Sequence, residues 1–182
     1  MIYKNWKINL LLLVQIFILE NCGKSVSKIE EKNEVFKKIP DVILYDFTYK
    51  FTKNDKIIWI LYSSKADVFN DEKIIKVDGV HLVFYKNNVE DTILDSKFGE
   101  VDQNKNILVA ISNVVLKTVQ NDFLYTDYLY WDDKTAKLYN TNYVKIARKS
   151  GDVIEGIGFE ADNNLEKIII KKSVKGKIYE TK

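Results

Sequence analysis

Few side chains in this sequence offer chemistry. His81 is the single histidine and stands inside an alternating pattern, VHLVFY, where a hydrogen-bonded strand residue is expected rather than a general base. Carboxylate pairs occur at Asp71–Glu72 and Asp132–Asp133. Both fall at joints between apolar runs, where Asp bonds nearby backbone and makes turns before it binds metal. The sequence has no Gly-x-Ser-x-Gly nucleophile motif, no His-Glu-x-x-His and no phosphate-cradling glycine loop. No catalytic residue, metal site or cofactor is therefore expected. One side chain of distinct chemistry remains: Cys22, the only cysteine, which can accept a lipid and can form no disulfide within the chain.

The residues before Cys22 fit that chemistry. Lys4 and Lys7 precede Ile8–Leu19, twelve residues that are apolar except for Asn9 and Gln15. A spanning helix needs roughly twenty apolar residues, so this run has the length of a signal-peptide core. It ends in Leu19-Glu20-Asn21-Cys22-Gly23, a loose bacterial lipobox in which Glu20 and Asn21 depart from the commonest form. Residues 1–22 are thus a signal peptide with a lipidated Cys22, or an uncleaved membrane anchor with an incidental thiol. Residues 23–41 form a polar tether rich in lysine and glutamate, with Pro40 near its end, and the folded part is expected over 42–182.

Composition narrows the class. The chain has 182 residues, 46% hydrophobic and 30% charged, enough for a core and too apolar for a disordered chain. Its 28 basic and 26 acidic residues leave a net charge of +2 and are mixed along the chain, which argues against a nucleic-acid partner. Abundant aromatic, Ile and Val residues favour strands over helices.

After Pro40 no segment has the helical spacing of apolar residues. Short alternating runs separated by Asn, Asp and Gly joints predict antiparallel strands instead. Asp102, Asp132 and Asp162 stand thirty residues apart, and Asp71 lies thirty-one before the first. A period of this size marks a repeated supersecondary unit, so about four β units of roughly 30 residues are expected. Val80, Leu82 and Phe84 share one strand face, and His81, Val83 and Tyr85 the other. FLYTDYLYW is apolar on both faces, as is the strand holding Trp59. Such two-sidedness fits a curved sheet pair with an apolar trough, or a fuller sandwich core with aromatic pairs outside. Gly156 and Gly158 mark either a bulge where backbone approaches a ligand or a tightly twisted strand.

The residues Leu124-x-Thr126-Asp127-x-Leu129-x-Trp131-Asp132 and Gly151-Asp152-x-Ile154-x-Gly156-x-Gly158-Phe159-x-x-Asp162, with Trp59-x-Leu61, Ala66 and Gly79-Val80 upstream, resemble the LptC family. Members are membrane-attached periplasmic components of lipopolysaccharide export, related to OstA-like and LptA β-jellyrolls. The resemblance runs from about Leu44 to Tyr179. Such proteins usually keep a transmembrane helix, which a lipid on Cys22 would replace here.

The resemblance implies an all-β, antiparallel, twisted, boat-shaped β-jellyroll whose interior holds the acyl chains of lipopolysaccharide or another glycolipid. It implies no catalysis. One end would meet the permease subunits of an ABC exporter, on the periplasmic side of the inner membrane, and the other an LptA-like protein. Candidate lipid-lining residues are Trp59, Leu82, Phe84, Leu116, Leu129, Trp131 and Phe159, and a one-residue slip in facing would invert them. Lys167, Ile168, Ile169 and Ile170 are the candidate docking edge. The alternative is a β-sandwich lipoprotein that binds a protein or glycan in the periplasm or at the cell surface.

Overall fold

The computed structural model describes residues 38–178. All the strands belong to the unit Ile39–Lys182. Cys22, the apolar run and most of the tether lie outside the described residues.

Nine strands form one antiparallel sheet in which each strand pairs with the next in sequence. They are β1 Val42–Lys53, β2 Lys56–Phe69, β3 Ile74–Lys86, β4 Val89–Asp102, β5 Ile107–Thr118, β6 Phe123–Asp132, β7 Lys137–Ala147, β8 Val153–Ala161 and β9 Ile168–Lys177. Local chemistry sets the turns. Asn54-Asp55 and Asn87-Asn88 hold φ of 51°, 59°, 54° and 63°, the double left-handed geometry of tight hairpins. The periodic aspartates close the opposite ends of the strands. Asp102 Oδ1 accepts Lys105 N–H at 2.9 Å, Asp132 Oδ1 accepts Lys134 N–H at 2.8 Å, and Asp162 Oδ1 accepts Glu166 N–H at 2.9 Å. The thirty-residue period is therefore the length of one hairpin pair.

The strands bend in mid-course. Asp46, Gly79, Ser112, Asn113, Gly158 and Ser173 all have positive φ, and register breaks between Asp95 and Phe98, Ile111 and Val114, Tyr125 and Tyr130, and Asn140 and Tyr143. At several of these points the buried face switches parity. In β6, Leu124 and Thr126 are buried before the bend and Leu129 and Trp131 after it. This explains why FLYTDYLYW looks apolar on both faces: one inner surface is served by even positions, then by odd ones. Outer-face aromatic pairs exist too, with Tyr130 and Tyr139 stacked at 5.1 Å between centroids.

The bend folds the sheet over its own inner face. Hydrogen bonds then join strands that are not neighbours: Gln103 Nε2 to Tyr49 Oη at 3.4 Å, Trp59 Nε1 to Asp133 Oδ1 at 2.9 Å, and Asn163 Nδ2 to Asp91 Oδ2 at 3.5 Å. Among the described residues β1 and β9 are paired on one side only, so the folded sheet stays open rather than closing into a barrel.

Candidate functional site

Two cross-strand rows build the inner walls. On one side of the bend, register aligns Leu61, Leu82, Leu94, Leu116, Leu124, Ile146 and Ile154 on consecutive strands β2 to β8. On the other side it aligns Val68, Ile75, Val101, Leu108, Trp131, Leu138, Ala161 and Ile168 from β2 to β9. Neither row contains a charged residue. Directly opposed side chains are the contacts that stabilise a sheet, and here they also make apolar tracks that run across the strands.

All seven candidate lining residues are buried on this inner face. Trp59, Leu82, Phe84 and Leu116 lie on the first wall, and Leu129, Trp131 and Phe159 on the second. The fold brings several together: the Phe84 and Trp131 rings meet edge to face at 4.9 Å. His81 is on the outer face, its Nδ1 2.8 Å from Asp95 Oδ1.

Asp133 differs from the sequence expectation. It sits in the β6–β7 turn, but its carboxylate turns back toward the interior. Its Oδ1 accepts the indole N–H of Trp59 and that of Trp131, joining β2 to β6 across the fold. Burial holds the Asp133 carboxyl above the ordinary carboxylate range, against the opposite pull of its two indole donors. Leu165 was also missed. It lies in the β8–β9 turn with φ of 57° and is fully buried in the apolar cluster, closing the interior there. The bond to Trp59 and the burial of Leu165 have no local sequence signal, because both depend on turns folding over a distant part of the sheet.

The glycines of β8 serve the neighbouring strand. Gly158 has φ of 74°, which glycine alone adopts without strain. A Cβ on Gly156 would stand 2.3 Å from Ile170 Cγ2 and 2.9 Å from Lys172 O. This close approach seats β9, where Ile168 and Ile170 pack on the core and Ile169 is 46% exposed. The other edge, β1, exposes Val42, Ile43, Leu44 and Tyr45 along its first half. Among the described residues no group of three or more His, Cys, Asp or Glu could hold a metal ion.

An open, folded antiparallel sheet with uncharged apolar rows inside is a β-jellyroll of the LptC/LptA kind. The profile of the family described as "Lipopolysaccharide-assembly, LptC-related" matches residues 8–180, and the chain belongs to that family. It is a non-enzymatic, membrane-associated periplasmic component of lipopolysaccharide transport. Among solved structures it is similar to LptH from Pseudomonas aeruginosa, the LptA-homologous periplasmic component of the lipopolysaccharide transport device. The TM-score is 0.55 at 10% identity, covering 67% of this chain and 95% of that one, a likeness of fold. No curated protein sequence matches.

Proposed function

We propose that the space between the two inner walls is the path of the acyl chains, and that the protein takes lipid from the permease subunits of an ABC exporter and passes it to an LptA-like protein. The observation that supports this most is the pair of uncharged rows crossing consecutive strands toward the open edges. Each methylene removed from water between them gains about 0.8 kcal/mol, enough to shield an acyl chain while ATP hydrolysis elsewhere drives its movement. The walls now pack against each other, so lipid enters as the fold parts. The edge at Lys167, Ile168, Ile169 and Ile170 is the docking surface for the LptA-like partner.

Photo-crosslinking in cells tests the path. A probe at Leu82, Phe84 or Trp131 is expected to capture glycolipid, and one at Lys134 or Asn104, in turns, is not. Equal labelling at inner and turn positions would overturn the reading. Probes at the partly buried Phe47 and Tyr49, which pack against the core, provide inner positions less sensitive to disruption.

Attachment is expected through acylated Cys22. Mature protein should carry a diacylglyceryl mass on Cys22, and Cys22→Ala should leave an unprocessed precursor in intact-mass spectra. Wild-type protein that retains Met1 and a free thiol would show an uncleaved anchor instead.

A further inference from the structure

The ladder between β6 and β7 breaks where the strands bend. Pairing runs to Tyr125–Lys145 and resumes at Tyr130–Tyr139, leaving unequal lengths of chain between. The strands part there, and a cavity of about 650 Å³ opens, lined by residues of β5, β6 and β7. That volume is within the roughly 300–1,000 Å³ range of small-molecule sites.

The cavity is built rather than incidental. The β5 bend at Ser112 and Asn113, with consecutive φ of 66° and 54°, bounds it on one side, and Asn113 lines it. Beneath it runs a polar chain: Asn140 Nδ2 donates to Thr126 Oγ1 at 2.9 Å and to Tyr128 O at 3.1 Å, and Thr126 Oγ1 donates to Tyr143 O at 2.8 Å. Those acceptors fix the amide orientation, so Asn140 Oδ1 is left without a donor although the residue is only 1% exposed. A buried amide with an unused acceptor is costly, and here it underlies two lining residues.

The lining points to one chemistry. Tyr125, Tyr128 and Tyr143 are 40%, 40% and 52% exposed. Asn113, Asp127 and Asn142 also line the cavity and have no side-chain hydrogen bond within the described structure. Aromatic faces accept the C–H faces of a pyranose, and amide and carboxylate groups pair with its hydroxyls. The lining carries one carboxylate, Asp127, and one ammonium, Lys145, which Glu155 approaches at 3.9 Å, so no net positive charge selects for an anion as such. An acyl chain would fit the Val114, Val115 and tyrosine surfaces but would cover Asn113, Asp127 and Asn142 without giving them hydrogen-bond partners. We infer that this outer-face cavity is a carbohydrate subsite, which holds one or a few sugar units of the glycolipid while its acyl chains lie inside. The source of the sugar rests on the lipid-carrier proposal. The site itself does not.

The test uses the full chain, purified from membranes in a zwitterionic detergent free of sugar. The probes are fully deacylated lipopolysaccharide saccharide and, as a free glycan, maltotriose. Saturation of tyrosine ring protons is expected to transfer to pyranose protons of the deacylated saccharide. Tyr128→Ala and Asn142→Ala should weaken binding at least tenfold, and Tyr128→Phe, which keeps the ring, should retain most of it. Tyr62→Ala, on the outer face away from the cavity, should leave it unchanged. Absence of saccharide binding, or equal binding by wild type, Tyr128→Ala and Asn142→Ala, would overturn the site. Transfer to maltotriose alone would overturn its assignment to the lipid's saccharide. Lipid capture by a probe at Phe84, measured in parallel, separates failure of the subsite from failure of the interior path.

Discussion

Replacing Asp133 with Ala is expected to lower the melting temperature by about 10 °C, whereas Asn at the same position should keep it within about 3 °C. The difference rests on one oxygen. Both indoles donate to Asp133 Oδ1, and Asn retains an oxygen there, so both bonds survive. Alanine removes the acceptor and leaves two indole N–H groups in a mostly apolar setting. Each hydrogen bond to a charged acceptor is worth roughly 1.5–3 kcal/mol, and stranded donors add to the loss. Because β2 and β6 are not neighbours in the sheet, the loss is concentrated on the closure between the walls. The Ala variant should therefore also bind more of an apolar fluorescent dye, and an unchanged melting temperature would show that the clasp holds nothing.

The same carboxyl gives a pH dependence with a definite sign. Its folded pKa is raised above the ordinary value near 3.9, so the folded state binds the proton more tightly than the unfolded chain does. This contribution to stability is fully present below the ordinary carboxylate pKa and is lost as pH rises through the raised folded value. Wild type should gain stability relative to Asp133→Asn, which does not titrate, as pH falls across that window. Thermal melts of the two proteins through the mildly acidic range measure the difference directly.

Much of this fold could be read from the chain because its signals are local. Alternation and turn chemistry belong to neighbouring residues, so the strands and the hairpin aspartates Asp102, Asp132 and Asp162 stand out. The inward facing of Leu82, Phe84 and Val80 follows from period two within one strand. What escaped was the mid-strand change of face. A single left-handed residue such as Asp46 or Ser173 shifts the parity of the rest of its strand, and nothing in its type distinguishes it from a turn residue. Without those bends Leu124 and Trp131 fall on opposite faces, and the inner wall looks two-sided. Asp133 was hidden for a different reason. It sits among turn residues, and although Trp131 is a near neighbour in sequence, Trp59 becomes a partner only once the sheet has folded over. The outer cavity depends on a break in pairing between β6 and β7, which no single strand records.

Proline at Ile168 and at Ile169 should have opposite consequences. Alternate residues of an antiparallel edge strand direct their N–H groups toward the neighbour and away from it. Of these two adjacent residues, one bonds β8 and the other faces the open side. Proline in the first breaks the sheet's own ladder at a cost of about 3 kcal/mol, and with it the close seating of Ile170 against Gly156. That variant is expected to melt about 10 °C lower. Proline in the second removes only an outward donor, a position where sheets tolerate it. It should keep the β circular-dichroism spectrum and melt within about 3 °C of wild type. If an LptA-like protein adds its own strand to this edge, that folded variant should bind it at least tenfold more weakly, because backbone bonds supply the affinity in strand addition. Lys167, Lys171, Lys172 and Lys175 would then set register and partner charge rather than guard the edge, the other use to which exposed lysines are put. A well-folded proline variant that captures the partner with wild-type affinity would remove β9 as the docking surface. The exposed apolar half of β1, at Val42–Tyr45, would then become the edge to test.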